Sequence, residues 1–117
     1  MNATLALDIG TTNVKCILYQ NGQLGFVLFF FELFKLIKNP YISTPLNKTT
    51  KTIHIIRDEP DQAEINPDQL WNIIRSSLSE SLDYAQRNDL KVSNLGISTH
   101  RSTCTIWETN SGRGKGI

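Results

Sequence analysis

Apolar and polar positions follow two different periods along this chain, and the switch between them marks out the elements. Thr4–Ile9 is a short apolar run carrying one carboxylate, Asp8, which predicts a buried strand that ends on an acid. Gly10-Thr11-Thr12 reads as a turn, and Asn13–Tyr19, rich in β-branched and apolar residues, as a second strand. Two strands around a Gly-Thr-Thr turn make a hairpin, unlike the strand-to-helix layout of a Walker-type loop. Asn21-Gly22 is a further turn signal. Beyond a polar stretch from Asn47, Thr52–Ile56 alternates as a strand would, and Arg57–Asp61 reads as a loop.

The period then lengthens. Asn66-Pro67-Asp68-Gln69 offers an N-cap, a proline at the first helical position and a Gln three residues on that can reach back. Leu70, Ile73, Ile74, Leu78, Leu82 and Ala85 follow on one face, so a helix is expected over Pro67–Arg87, ended by Asn88-Asp89. Val92–Thr99 predicts a buried strand, His100-Arg101-Ser102 a polar break, and Thr103–Glu108 another strand. The glycine-rich tail from Asn110 is expected to pack against nothing.

One segment fits neither period. Leu24–Ile37 is apolar except for Gly25, Glu32 and Lys35, and it holds all five phenylalanines of the chain. It falls short of the roughly 18–20 apolar residues of a membrane-spanning helix. Its composition is foreign to its surroundings. It reads as an inserted segment spanning about 24–46, either spurious sequence carried into the reading frame or a genuine insertion that anchors or dimerises the protein. Membrane contact through Phe26–Ile37 is the less favoured outcome.

Composition changes this picture little. The 117 residues suit one small domain, and 39% hydrophobic with 20% charged residues is not a disordered composition. A formal net charge of +1, with no cluster of Lys and Arg, argues against a nucleic-acid partner. Cys16 and Cys104 lack CxxC spacing and read as small core residues in a reduced, cytoplasmic setting; the N-terminus has no secretory pattern.

The first turn carries candidate chemistry. Gly10 admits a left-handed backbone and close approach of an anion, the amides of Thr11, Thr12 and Asn13 are phosphate donors, and the hydroxyls add two more. Lys15 supplies a positive charge, and Asp8 suits a role in holding Mg²⁺ against the nucleotide. An ordinary hairpin turn would use the same residues for geometry alone.

The segment Leu5–Lys15 resembles the first phosphate motif of the FGGY carbohydrate kinases, the group that includes glycerol kinase and xylulokinase within the actin-like ATPase fold. Three further segments match in family order: Ala63–Trp71 resembles the acidic-Pro-Trp entry to the first long helix, Leu95–Thr103 the following strand and substrate loop, and Ile106-Trp107-Glu108 with Gly112 the next strand and turn. The glycerol-kinase-like branch is the nearest in character. The heat-shock ATPases of the same fold also open on Asp-x-Gly-Thr-Thr, but the Pro67–Trp71 and His100–Thr103 matches argue against them.

The resemblance implies an α/β fold: a partial actin-like ATPase (ribonuclease H-like) domain over residues 1–117, with a mixed sheet and a packed helix. It implies ATP with Mg²⁺ as cofactors and a sugar or polyol as the phosphoryl acceptor. It places the nucleotide phosphates on Thr11, Thr12, Asn13 and Lys15, the metal on Asp8, and substrate hydroxyls on Arg101 and Ser102. The family's substrate loop reads Gln-Arg-Glu-Thr; here it is His100-Arg101-Ser102-Thr103, so a charged acceptor is lost at Ser102 and glycerol itself is put in doubt. A lone loop histidine such as His100 is by default a satisfied polar residue. The family's catalytic Asp and adenine-binding half have no counterpart in these 117 residues, which implies a fragment inactive on its own. The alternative is a non-catalytic module in which the Phe-rich run contacts a membrane or partner.

Overall fold

β1 (Asn2–Ile9) and β2 (Asn13–Gln20) form the predicted antiparallel hairpin, in a register that sets Ile9 opposite Val14 and Asp8 opposite Lys15. The computed structural model describes residues 1–20, 45–101, 103–112 and 114–116, the last three by backbone alone. The Asn21-Gly22 turn, the Phe-rich run Leu24–Ile37 and Ser102 lie outside the described residues.

β3 (Asn47–Thr52) pairs antiparallel with the outer side of β2, and β6 (Lys91–Thr99) pairs parallel with β1, giving a mixed sheet of order β3-β2-β1-β6. The third strand is thus the polar stretch Asn47–Thr52 and not Thr52–Ile56. An edge strand exposes alternate side chains and tolerates that polarity, while Ile53 turns into the core at 3% exposure. Ile55–Ile56 forms only a two-residue strand, β4, against β5 (Glu64–Ile65).

α1 spans Pro67–Arg87, as its periodicity predicts. Asn66 caps it: its Oδ1 accepts from the amides of Asp68 (2.9 Å) and Gln69 (3.1 Å). The return bond from the Gln69 side chain is not made among the described residues. The helix stops at Asn88, whose Nδ2 donates to the Tyr84 carbonyl, and Asp89 adopts a left-handed φ of 52°. Such a long crossover is what lets β6 run parallel to β1.

The core lies between α1 and one face of the sheet: Ala3, Leu5 and Leu7 from β1, Val14, Cys16 and Leu18 from β2, with Ile53, Ile74 and Ala85. The helix approaches through Ile74, Ser77, Ser81 and Ala85, whereas Leu82, expected in the buried stripe, is 46% exposed. Two serines with no exposure let the helix sit close over β2 and β3, which rotates the stripe away from Leu82. Burial in this layer pushes the Cys16 thiol pKa up, and the nearby Ser81 hydroxyl pulls it partly back without completing a hydrogen bond of its own. Ala6, Ile17 and Tyr19 are buried on the opposite face.

β6 departs from the expectation of a buried strand. Leu95 and Ile97 are the register partners of Leu5 and Leu7, yet they are 52% and 60% exposed. The helix lies over β2 and β3 and only touches β6, and β6 is the sheet edge. Two further expectations are corrected. The strand predicted at Thr103–Glu108 is only β7 (Thr105–Trp107), and the glycine-rich tail does pair: β8 (Gly114–Gly116) runs antiparallel to β7. Cys104 is exposed and not in the core; both cysteines are free.

Candidate functional site at the carboxyl ends of two parallel strands

The hairpin turn Gly10–Thr12 is closed by a bond from the Gly10 amide to the Asn13 carbonyl (2.9 Å). From the β3 side, the Ile53 amide donates to the Thr12 carbonyl (2.8 Å), so the buried start of the β3–β4 link pins the turn's second half. Gly10 is required here for space and not for a left-handed backbone: its φ is not positive, but a Cβ at this position would sit 3.0 Å from the Asn13 oxygen. Thr11 and Thr12 are exposed, Asn13 is half-buried, and the amides of both threonines are without hydrogen-bond partners among the described residues. The turn therefore presents free backbone donors and hydroxyls on a fixed frame.

Asp8 and Lys15 flank the turn as opposite partners in the antiparallel ladder, both half-buried, on the face away from α1. They form no ion pair with each other among the described residues. Among the described residues no group of three or more His, Cys, Asp or Glu is placed to hold a metal.

The second predicted loop lies beside the first. Because β1 and β6 are parallel and Ile9 is the register partner of Thr99, the turn after Ile9 and the loop after Thr99 leave the sheet side by side. His100 joins them: its amide donates to the Ile9 carbonyl (2.8 Å) and its Nδ1 lies 3.1 Å from the same oxygen. Arg101 follows, exposed, its carbonyl accepting from the Thr103 hydroxyl (3.4 Å). Beside the loop is a cavity of about 190 Å³, lined by His100, Thr103, Cys104 and Thr105 on one side and by Pro67 and Trp71 from the start of α1 on another. The Trp71 side of that cavity ties the Pro67–Trp71 motif to the His100–Thr103 motif, which are far apart in sequence. The sequence predicts His100 to be a satisfied loop residue. It is satisfied, but by the carbonyl next to Gly10, and only the strand register could reveal that.

Comparison with known proteins agrees with this geometry. No family model matches the chain. It is 28% identical over 115 residues to a glycerol kinase of Aquifex aeolicus, covering 97% of this chain and 18% of that protein. It is 22% identical over 109 residues to glycerol kinase 5 of Danio rerio, covering 93% of the chain and 17% of the relative. Among solved structures it superimposes on Plasmodium falciparum glycerol kinase with ADP at a TM-score of 0.70 and 16% identity, over 97% of this chain and 19% of that one. The described residues have the fold of the N-terminal part of FGGY kinases. A xylulose kinase of Rhodospirillum rubrum matches this chain equally well in fold, at a TM-score of 0.69 and 18% identity, over 97% of the chain and 19% of that structure. The segment spans about a fifth of the length of the curated relatives it matches. Among its described residues no helix is long and apolar enough to cross a membrane.

Proposed function

We propose that this segment forms one wall of an ATP-dependent sugar or polyol kinase site, holding the nucleotide phosphates on the first turn and the acceptor hydroxyls on the loop after β6. The observation that carries the reading is the side-by-side exit of these two loops from the carboxyl ends of parallel strands β1 and β6, the place where open α/β sheets bind ligands. The free amides and hydroxyls of Thr11 and Thr12, with Asn13, would bind phosphate oxygens, and Lys15 would add fixed positive charge. Absence of a Cβ at Gly10 leaves the closed turn its room, so the frame fits an anion. Asp8 would hold Mg²⁺, with the remaining ligands coming from phosphate and water; the ion would neutralise charge on the transferring group. Arg101 and Ser102 would bind substrate hydroxyls, the guanidinium donating to them. Ser102 provides no carboxylate at this point, which favours an acceptor other than glycerol.

Phosphoryl transfer needs positioning and charge neutralisation from both sides of the group transferred. The 117 residues on their own supply one side and are expected to have no appreciable kinase activity. Titration of the ¹⁵N-labelled chain with magnesium pyrophosphate tests the phosphate reading. Amide shifts should concentrate at Gly10–Lys15 and saturate. Shifts scattered over the surface, or none at the turn, would refute it. A coupled assay with ATP and glycerol or a pentulose should stay at background; turnover by the purified chain would refute the one-wall reading.

A further inference from the structure

We propose that His100 is a positioning residue, a clamp whose imidazole locks the substrate-loop side of the site to the phosphate-turn side through the carbonyl of Ile9. The coupling of the two loops as halves of one site rests on the kinase reading above; the clamp itself rests on geometry.

Ile9 is the last residue of β1, and its carbonyl precedes Gly10 directly. The carbonyl oxygen has two lone pairs. One takes the His100 amide at 2.8 Å, the last bond between the parallel strands, and the other faces His100 Nδ1 at 3.1 Å. Past this point β1 turns back into β2 and β6 leaves for the Arg101 loop, so no further ladder bond can hold the two exits together. The imidazole occupies the fork where they part. A carbonyl only accepts, so Nδ1 must carry the proton, which fixes the tautomer of neutral His100. His100 also lines the cavity beside Trp71 and Thr103, so a ligand entering there would meet the ring that holds the phosphate turn.

The arrangement predicts which substitutions matter. Asparagine can place its side-chain amide near the position of Nδ1, so His100→Asn should keep the clamp, and His100→Ala should lose it.

The test uses the full chain in three arms. Long-range ¹H–¹⁵N spectra of the neutral ring should show Nδ1 protonated; an Nε2–H tautomer overturns the proposal. Hydrogen exchange at the Gly10 amide, which closes the turn onto Asn13, should speed about two- to tenfold in His100→Ala, the equivalent of one neutral hydrogen bond. Asparagine should restore it. Exchange in the middle of α1, at Ile74, serves as the control. Unchanged Gly10 exchange, failure of asparagine to rescue it, or equal acceleration at Ile74 each overturns the clamp. Magnesium pyrophosphate binding should weaken by a similar factor in His100→Ala and recover in His100→Asn; unaltered affinity overturns the coupling. A parent chain that bound no pyrophosphate would sink the kinase reading, and the tautomer and exchange arms would still decide the clamp.

Discussion

Replacing Gly10 by alanine separates a turn needed for folding from one needed for binding. In most tight turns the cost of such a change is left-handed backbone strain, but Gly10 has no positive φ, so alanine meets only a steric obstacle. Its methyl would lie 3.0 Å from the Asn13 carbonyl oxygen, which must retreat by a few tenths of an ångström. That oxygen accepts the Gly10 amide at 2.9 Å, so the retreat loosens the bond that closes the turn. Mild overpacking of this kind costs about 1 kcal/mol. The reduced freedom of the unfolded chain offsets about 0.4–1 kcal/mol of that. The net loss of stability should therefore stay below about 1 kcal/mol, seen in urea as a small fall in midpoint with an unchanged slope. Binding should respond differently, because the Thr11 and Thr12 amides move with the Asn13 carbonyl. Magnesium pyrophosphate affinity should fall about tenfold or more, the equivalent of one to two misplaced charge-assisted bonds. A variant destabilised by about 3 kcal/mol would show that the turn is a folding element under strain. Unchanged pyrophosphate affinity at near-parent stability would show that turn geometry does not matter for the anion, and the reasoning would fail.

Other outcomes follow from the same contacts. Asn66→Ala removes the acceptor for two helix-start amides and should cost about 1 kcal/mol in urea unfolding; a change near zero would mean that Pro67 and packing alone set the start of α1. A thiol reagent should label Cys104 at once and Cys16 only on unfolding, because one is exposed and the other fully buried; prompt labelling of both would contradict the helix–sheet packing. Burial raises the folded-state pKa of Cys16 above its unfolded value, so the protonated thiol stabilises the fold below the ordinary thiol range and that contribution fades as pH rises through it. The stability difference between parent and Cys16→Ala should accordingly shrink from about pH 8 upward; a constant or growing difference would refute the assignment.

Much of this protein was legible without coordinates. The hairpin, the start and end of α1 and the location of the candidate turn each follow from local rules: β-branched runs around Gly-Thr-Thr, a side-chain cap before proline, and a 3.6-residue period. The order of the motifs pointed to the kinase fold for the same reason, since each motif is a contiguous stretch. What local patterns could not provide was relative placement. Leu82 has the right spacing for the core and lies outside it, because Ser77 and Ser81 let the sheet approach on a neighbouring stripe. Val92–Thr99 has the composition of a buried strand, but Leu95 and Ile97 are exposed because the helix covers β2 and β3 instead. By sequence Gly10 admits a left-handed turn, but in the structure what counts is its missing Cβ, which makes room for the Asn13 carbonyl. The site itself divides in the same way. The sequence determined that Asp8, Thr11, Thr12, Asn13 and Lys15 would gather at one turn, since eight residues of hairpin bring them together. Only the parallel pairing of β1 with β6 decided that His100 and Arg101 stand beside that turn. Pairing across some ninety residues of chain depends on how the whole layer packs, and no local period encodes it.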